Sequence, residues 1–170
     1  MKKIILFICI LFTSFSSSGQ QKIEKDTITT YYLIRHAEKD RTNKKNSNPK
    51  LTEKGLERAE KWAIVFKNIN LDAVYSTNYL RTIETAKPTA DSKNLEIETY
   101  NAKKMFTSKF QKATKGQHIL IVGHSNTTPF FVNKILDEYT YEEIDDDNNA
   151  NLYIVTVSKN QKTCVLLHID

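Results

Sequence analysis

Residues 119–122, Ile-Leu-Ile-Val, are four aliphatic side chains in a row with no polar interruption. A strand with one face in water alternates apolar and polar positions, whereas a strand buried on both faces does not. This run, opened by His118, therefore demands a sheet covered on both sides. It constrains the fold more than any other segment of the chain.

Around it, strand and helix patterns alternate. Residues 29–34 are β-branched, aromatic and aliphatic and predict a strand. Thr52 suits the N-cap of a helix whose apolar positions run Leu56, Ala59, Trp62, Ala63 and Phe66. Residues 71–75 predict a short strand. Residues 79–86 predict a helix that Pro88 should limit or kink. Residues 95–99 predict a third strand, followed by a weak helix bearing Met105, Phe106 and Phe110 and closed by Gly116. After the buried run, Ser125 is the expected cap of a helix with Pro129 in its first turn and Phe130, Phe131, Ile135 and Leu136 on its apolar side. Residues 152–157 and 164–169 predict a hairpin turning at Lys159 and Asn160. The polar stretch 39–50 and the acidic stretch 137–149 read as solvated loops. The expected fold is an α/β three-layer sandwich, with a mostly parallel central sheet flanked by helices and an antiparallel edge.

The first residues follow a different logic. Lys2 and Lys3 precede a short apolar run, and Ser14 to Gly19 are, apart from Phe15, small or polar. This predicts a secretory signal peptide over residues 1–19 and a single domain over residues 20–170. The apolar run is short for a bilayer span, so no stable membrane anchor is expected after cleavage. The expected location is exported, periplasmic or secreted. Loss of Lys2 and Lys3 takes the formal net charge from +5 to +3. That is too mild a surplus to argue for nucleic acid as a partner. Cys9 leaves with the signal and Cys164 remains, so no disulfide within the chain is expected.

Three polar clusters each follow a predicted strand directly. They are Arg35-His36-Ala37-Glu38, then Ser76-Thr77 with Arg81, then Gly123-His124-Ser125-Asn126. In open α/β sheets, ligands bind outside the carboxyl ends of the strands. Two guanidiniums, two imidazoles and helix N-termini in one crevice suit a phosphoryl group. Positive neighbours lower the pKa of an imidazole and so favour its neutral, nucleophilic form. A metal site from His36, Glu38 and His124 fits less well, since the Pro-Cys-x-x-Cys partner of such His-x-Glu motifs is absent and two arginines would repel a cation. Asp145, Asp146 and Asp147 lack the spacing and glycine of a calcium loop. The basic residues from Lys39 to Lys45 form a solvated face that could also draw in anionic substrates.

These clusters resemble the signatures of the histidine phosphatase superfamily, which includes the phosphoglycerate mutase-like enzymes. Arg35-His36-Ala37-Glu38 is similar to its Arg-His-Gly motif, and Leu51-Thr52-Glu53-Lys54-Gly55 to its Leu-Thr-x-x-Gly helix start. Ser76-Thr77 with Arg81 to Ala86 is similar to its second arginine motif, and Val122-Gly123-His124-Ser125 to its second histidine motif. The resemblance implies His36 as a covalent nucleophile, and Arg35, Arg81 and His124, with Ser125, as phosphate-binding groups. It implies neither metal nor organic cofactor. The implied partner is a small phosphorylated substrate or a phosphoprotein.

Many members of that family also place a carboxylic acid after the third strand to protonate the leaving group. Here the aligned position is Asn101, and Glu38 and Glu98 are the candidate acids or bases. Without general acid help, leaving groups such as imidazole, pyrophosphate or phenolate are favoured. The expectation is therefore a small exported phosphohydrolase. A catalytically silent phospho-ligand binding module and a phosphoryl transferase or mutase are the alternatives.

Overall fold

The computed structural model describes residues 27–170; the expected signal peptide at residues 1–19 lies outside them. Six strands form one sheet: β1 (Thr29–Arg35), β2 (Ala73–Ser76), β3 (Ile97–Thr99), β4 (His118–Gly123), β5 (Asn151–Val157) and β6 (Lys162–His168). Four helices accompany them: α1 (Glu53–Val65), α2 (Leu80–Ser92), α3 (Ser108–Ala113) and α4 (Thr127–Leu136). The strand order is β3-β2-β4-β1-β5-β6. The first four of these run parallel, while β5 and β6 pair antiparallel at one edge. The expected α/β architecture is thus present, with two antiparallel strands at the edge.

Alternation along β1 explains the three layers. Tyr31 and Leu33 point to one face, where Ile119, Ile121, Phe131, Val132 and Ile135 complete a core under α4. Tyr32 and Ile34 point to the other, where Leu120, Val122, Trp62, Phe66, Ala86 and Ala90 complete a core under α1 and α2. The uninterrupted run in β4 feeds both cores at once. That double burial keeps Ile119, Leu120, Ile121 and Val122 out of water.

Several local expectations are corrected. Leu56 is 49% exposed, so the buried face of α1 is Gly55, Ala59 and Trp62, with Phe66 just beyond. Phe130 likewise faces outward, with Lys134 over its ring at 5.4 Å. Pro88 neither ends nor limits α2, which runs on to Ser92. The proline ring removes only the donor that would reach the Glu84 carbonyl, and packing of Ala86 and Ala90 holds the helix together across the gap. Ser125 does not cap α4. Asn126 occupies that position without a side-chain bond, and the Ser125 hydroxyl donates to Glu143 Oε1 at 2.9 Å. Thr52 does cap α1, accepting the Gly55 N–H at 3.1 Å.

Candidate active site

The topology brings the three clusters to one level. Ile34 pairs with Val122, and Ser76 pairs with the same Val122 from the other side. The chain leaves β1 for β2 and returns later to lay β4 between them. The ends of these strands therefore open at a switch point, where backbone diverges and leaves a crevice. The crevice is a cleft of about 660 Å³ lined by His36, Arg81, His124, Lys39, Tyr79 and Asp146 among others.

His36 is 3% exposed. Its backbone N–H donates to the Gly123 carbonyl at 2.9 Å, and its own carbonyl accepts from Asn149 Nδ2 at 2.8 Å. The next amide, of Ala37, donates to Thr85 Oγ1 at 2.9 Å, which ties the segment around His36 to α2. His36 Nδ1 lies 2.7 Å from the Ala37 carbonyl. A carbonyl only accepts, so Nδ1 carries the hydrogen and Nε2 keeps its lone pair. Burial pushes the His36 pKa down to about 3; the bond to Ala37 opposes this, and the charges of Arg35, Arg81 and His124 add to the fall. At neutral pH the ring is uncharged, with the Nε2 lone pair free of a proton.

His124 is arranged by the same logic. Arg81 Nη2 lies 3.4 Å from His124 Nδ1. A guanidinium has only donors, so Nδ1 accepts and the hydrogen of the neutral ring sits on Nε2. That Nε2 donates to Thr77 Oγ1 at 2.9 Å, while the Thr77 hydroxyl donates to Thr82 Oγ1 at 3.0 Å. Burial first, then the charges of Arg81, Lys39 and Arg35, push the His124 pKa down to about 4. The two imidazoles meet edge to face, 5.6 Å between centroids. The Tyr79 ring packs edge-on against His124 at 5.1 Å and lies under the Arg81 guanidinium at 4.5 Å. Gly123 lets these elements close up, since a Cβ there would come within 2.7 Å of Thr128 Oγ1 and 3.0 Å of Tyr100 Oη.

Arg35 is 1% exposed and lines the cleft, but most of its donors turn the other way. Nη1 donates to the carbonyls of Asp145 and Asn148 at 2.7 and 2.9 Å, and Nη2 donates to Asp146 Oδ1 at 2.9 Å. Arg41 Nη2 also donates to Asp146 Oδ1, at 2.8 Å. Hydrogen bonds from Arg41 outweigh a small burial effect and, with those from Arg35, hold the Asp146 carboxyl down at about 2. The Nε atoms of Arg35 and Arg81 are buried without a protein partner.

The candidate acids lie elsewhere. Glu38 is outside the cleft lining and accepts from Arg58 Nε at 3.0 Å. Burial raises its pKa, but the Arg58 bonds and the charges of Arg58 and Lys54 outweigh that and hold it below the usual range. Glu98 stands on the exposed edge strand β3 beside the Tyr75 hydroxyl. Asn101 does line the cleft, and its side chain accepts the Lys103 N–H at 2.9 Å. Ser125 lines the cleft too, with its hydroxyl turned to Glu143.

Residues 31–102 match the family model of the histidine phosphatase superfamily (branch 1). The likeness to that superfamily spans a little under half of the chain. The match runs from within β1 to just past β3, and His124, directly after β4, lies beyond it. No curated protein matches the sequence. Among solved structures, a phosphoglycerate mutase from Bacillus anthracis str. Sterne superposes with a TM-score of 0.64 at 16% identity, covering 84% of this chain and 93% of that one. The protein histidine phosphatase SixA complexed with tungstate gives 0.64 at 16% identity, covering 82% and 96%. A phosphoserine phosphatase mutant from Entamoeba histolytica in complex with phosphoserine gives 0.64 at 15% identity, covering 81% and 95%. At such identities the likeness is one of fold.

The histidine phosphatase pattern assigns no individual role to four cleft or supporting residues. Asp146 and Asn149 lie in the acidic stretch, whose charge suggests only solvation. Lys39 is one of several lysines in a polar loop, and Thr85 sits inside a motif whose arginine draws the eye. Only the fold shows which of them reach the site. Among the described residues, no group of three or more His, Cys, Asp or Glu is placed to hold a metal. Nor is any helix among them long and apolar enough to cross a membrane.

Proposed function

We propose that this protein is an exported phosphohydrolase that removes a phosphoryl group through a covalent phosphohistidine on His36. The observation that carries this reading is the state of the His36 ring. It is buried, neutral and hydrogen-bonded through Nδ1 to a carbonyl, which leaves a lone pair on Nε2 in a cleft ringed by cations. In-line attack by Nε2 on phosphorus forms the N–P bond as the bond to the leaving group breaks. Arg81 and the remaining donors of Arg35 would take up charge on the equatorial oxygens, while His124, its one N–H given to Thr77, lines the cleft beside Arg81. Water then attacks the phosphohistidine, phosphate leaves, and the electron pair returns to His36.

The leaving group is the next question. Asp146, the one carboxylate lining the cleft among the described residues, is pinned between two guanidiniums and ionised, so it has no proton to give. Asn101 offers an amide, which is not an acid. The reading is therefore a hydrolase that favours activated or small phosphates, with leaving groups such as imidazole, pyrophosphate or phenolate. Export rests on the residues 1–19 pattern.

The test is phosphoenzyme trapping with a labelled activated donor and a rapid quench. Acid-labile, base-stable label in wild type and none in His36→Ala is expected. One observation favours a second reading, a phospho-ligand binder without turnover: Arg35 spends Nη1 and Nη2 on residues 145–148. Phosphate binding that survives His36→Ala, with neither label nor turnover in wild type, would establish that reading.

A further inference from the structure

We propose that Lys39 is the proton donor to the leaving group, in the role that no carboxylic acid fills here. The proposal rests on His36 being the nucleophile, as read above.

Lys39 lines the same cleft as His36, Arg81 and His124. Its backbone is fixed rather than loose. Lys39 bridges to Leu51, with Thr52 N–H donating to the Glu38 carbonyl and Asp40 N–H donating to the Lys50 carbonyl, both at 2.9 Å. The lysine is thus held three residues past the nucleophile, with only its side chain free to move. Its ammonium makes no hydrogen bond or ion pair among the described residues. The neighbouring carboxylates are already engaged: Asp146 by Arg35 and Arg41, Glu38 by Arg58 and Lys54. An uncommitted ammonium in an anion cleft has its donors available to the ligand.

The surroundings also make this lysine a better acid than most. Burial first, then Arg41 on its own loop, Arg81 on α2 and Arg35 on β1 lower its pKa, while Asp146 opposes them. His124, after β4, is neutral and responds to the Lys39 charge. A lysine shifted toward neutrality can both give and take a proton. As His36 Nε2 bonds to phosphorus, the bond from phosphorus to the bridging atom breaks and its electron pair stays on that atom. The bridging atom takes a proton from Lys39 Nζ, leaving a neutral amine. In the second half, the amine takes a proton from the attacking water as the N–P bond breaks.

The experiment is a leaving-group series: a phenyl series from 4-nitrophenyl phosphate upward in leaving-group pKa, and an alkyl phosphate. Wild type, Lys39→Met, Lys39→Arg and His36→Ala are compared. Loss of general acid help should cost Lys39→Met roughly 100-fold or more in kcat/KM on the alkyl ester, and no more than about tenfold on 4-nitrophenyl phosphate. Lys39→Arg should fail to rescue, because a guanidinium does not release its proton. The alkaline limb of the alkyl-ester profile should vanish in Lys39→Met. An equal loss on every ester, restored by Lys39→Arg, would make Lys39 an anchor for phosphate and overturn the proposal alone. Wild type with no His36-dependent turnover of any ester would overturn the nucleophile reading, and this proposal with it. Lys39→Gln, which keeps a polar stem, repeats the comparison if methionine disturbs the fold.

Discussion

Replacing Gly55 with alanine sets two physical effects against each other, and the structure says which prevails. Gly55 is the third residue of α1, and its N–H is taken by the Thr52 cap. Helix propensity alone favours alanine there by about 1 kcal/mol. A Cβ at Gly55, however, would run into the Glu38 carbonyl, closer than real contacts allow. That carbonyl already accepts from Thr52 N–H at 2.9 Å and Thr52 Oγ1 at 3.2 Å. It is backbone and has nowhere to retreat without breaking those bonds. Overpacking costs about 1–3 kcal/mol, and weakening each of two bonds costs about 1 kcal/mol. Set against the propensity gain, the net is a destabilisation of about 2–4 kcal/mol, or a fall in Tm of roughly 5–15 °C for a domain of this size. Glu38 is two residues from His36, so kcat/KM should fall as well. Urea or thermal unfolding of the two proteins, with turnover measured on the same samples, tests this. A variant as stable as wild type or more so would refute the steric argument and leave helix propensity as the deciding effect.

Other consequences are equally direct. His36→Ala should abolish phosphoenzyme label and cut turnover by roughly 1,000-fold or more while the fold persists, as turnover assays and circular dichroism would report. The folded His36 pKa of about 3 lies below its ordinary value of 6.5, so between those values the unfolded chain binds the extra proton. Stability attributable to this ring is therefore fully present above pH 6.5 and falls as the pH drops toward 3. The loss should be about 3 kcal/mol by pH 4, read from urea midpoints, and His36→Gln should give a flatter curve in that window; parallel curves would contradict the assignment. Asp146→Asn removes the carboxylate that holds Arg35 Nη2 and Arg41, so inorganic phosphate or vanadate should bind roughly 3- to 10-fold tighter by calorimetry. Weaker binding there would show that Asp146 serves to position Arg35 rather than to compete with the anion.

Much of this molecule is written in local sequence. The uninterrupted apolar run of β4 requires cover on both faces, and the alternation of Tyr31, Tyr32, Leu33 and Ile34 supplies both cores. Thr52 and Gly55 signal the start of α1 because capping and close backbone approach are short-range demands. His36, Arg81 and His124 are legible as a group because each follows a strand end, and parallel strands bring their ends to one side. What local pattern does not carry is direction and partnership across the chain. Leu56 and Phe130 read as core and face water, because only the packing of α1 and α4 chooses which side of an apolar stripe is covered. The two halves of an ion pair such as Arg35 and Asp146 stand 111 residues apart, and no spacing rule links them. Glu38 and Glu98 carry the right chemistry for an acid, yet one is drawn to Arg58 and the other sits on an exposed edge. Lys39 looks like any loop lysine until the bridge to Leu51 sets it in the same cleft as His36. Residue type and strand-end position thus determined the fold class and which polar residues gather in the cleft. Tertiary packing decided which charges are spent on one another and which are left for the ligand, because pairing depends on distance in space rather than along the chain.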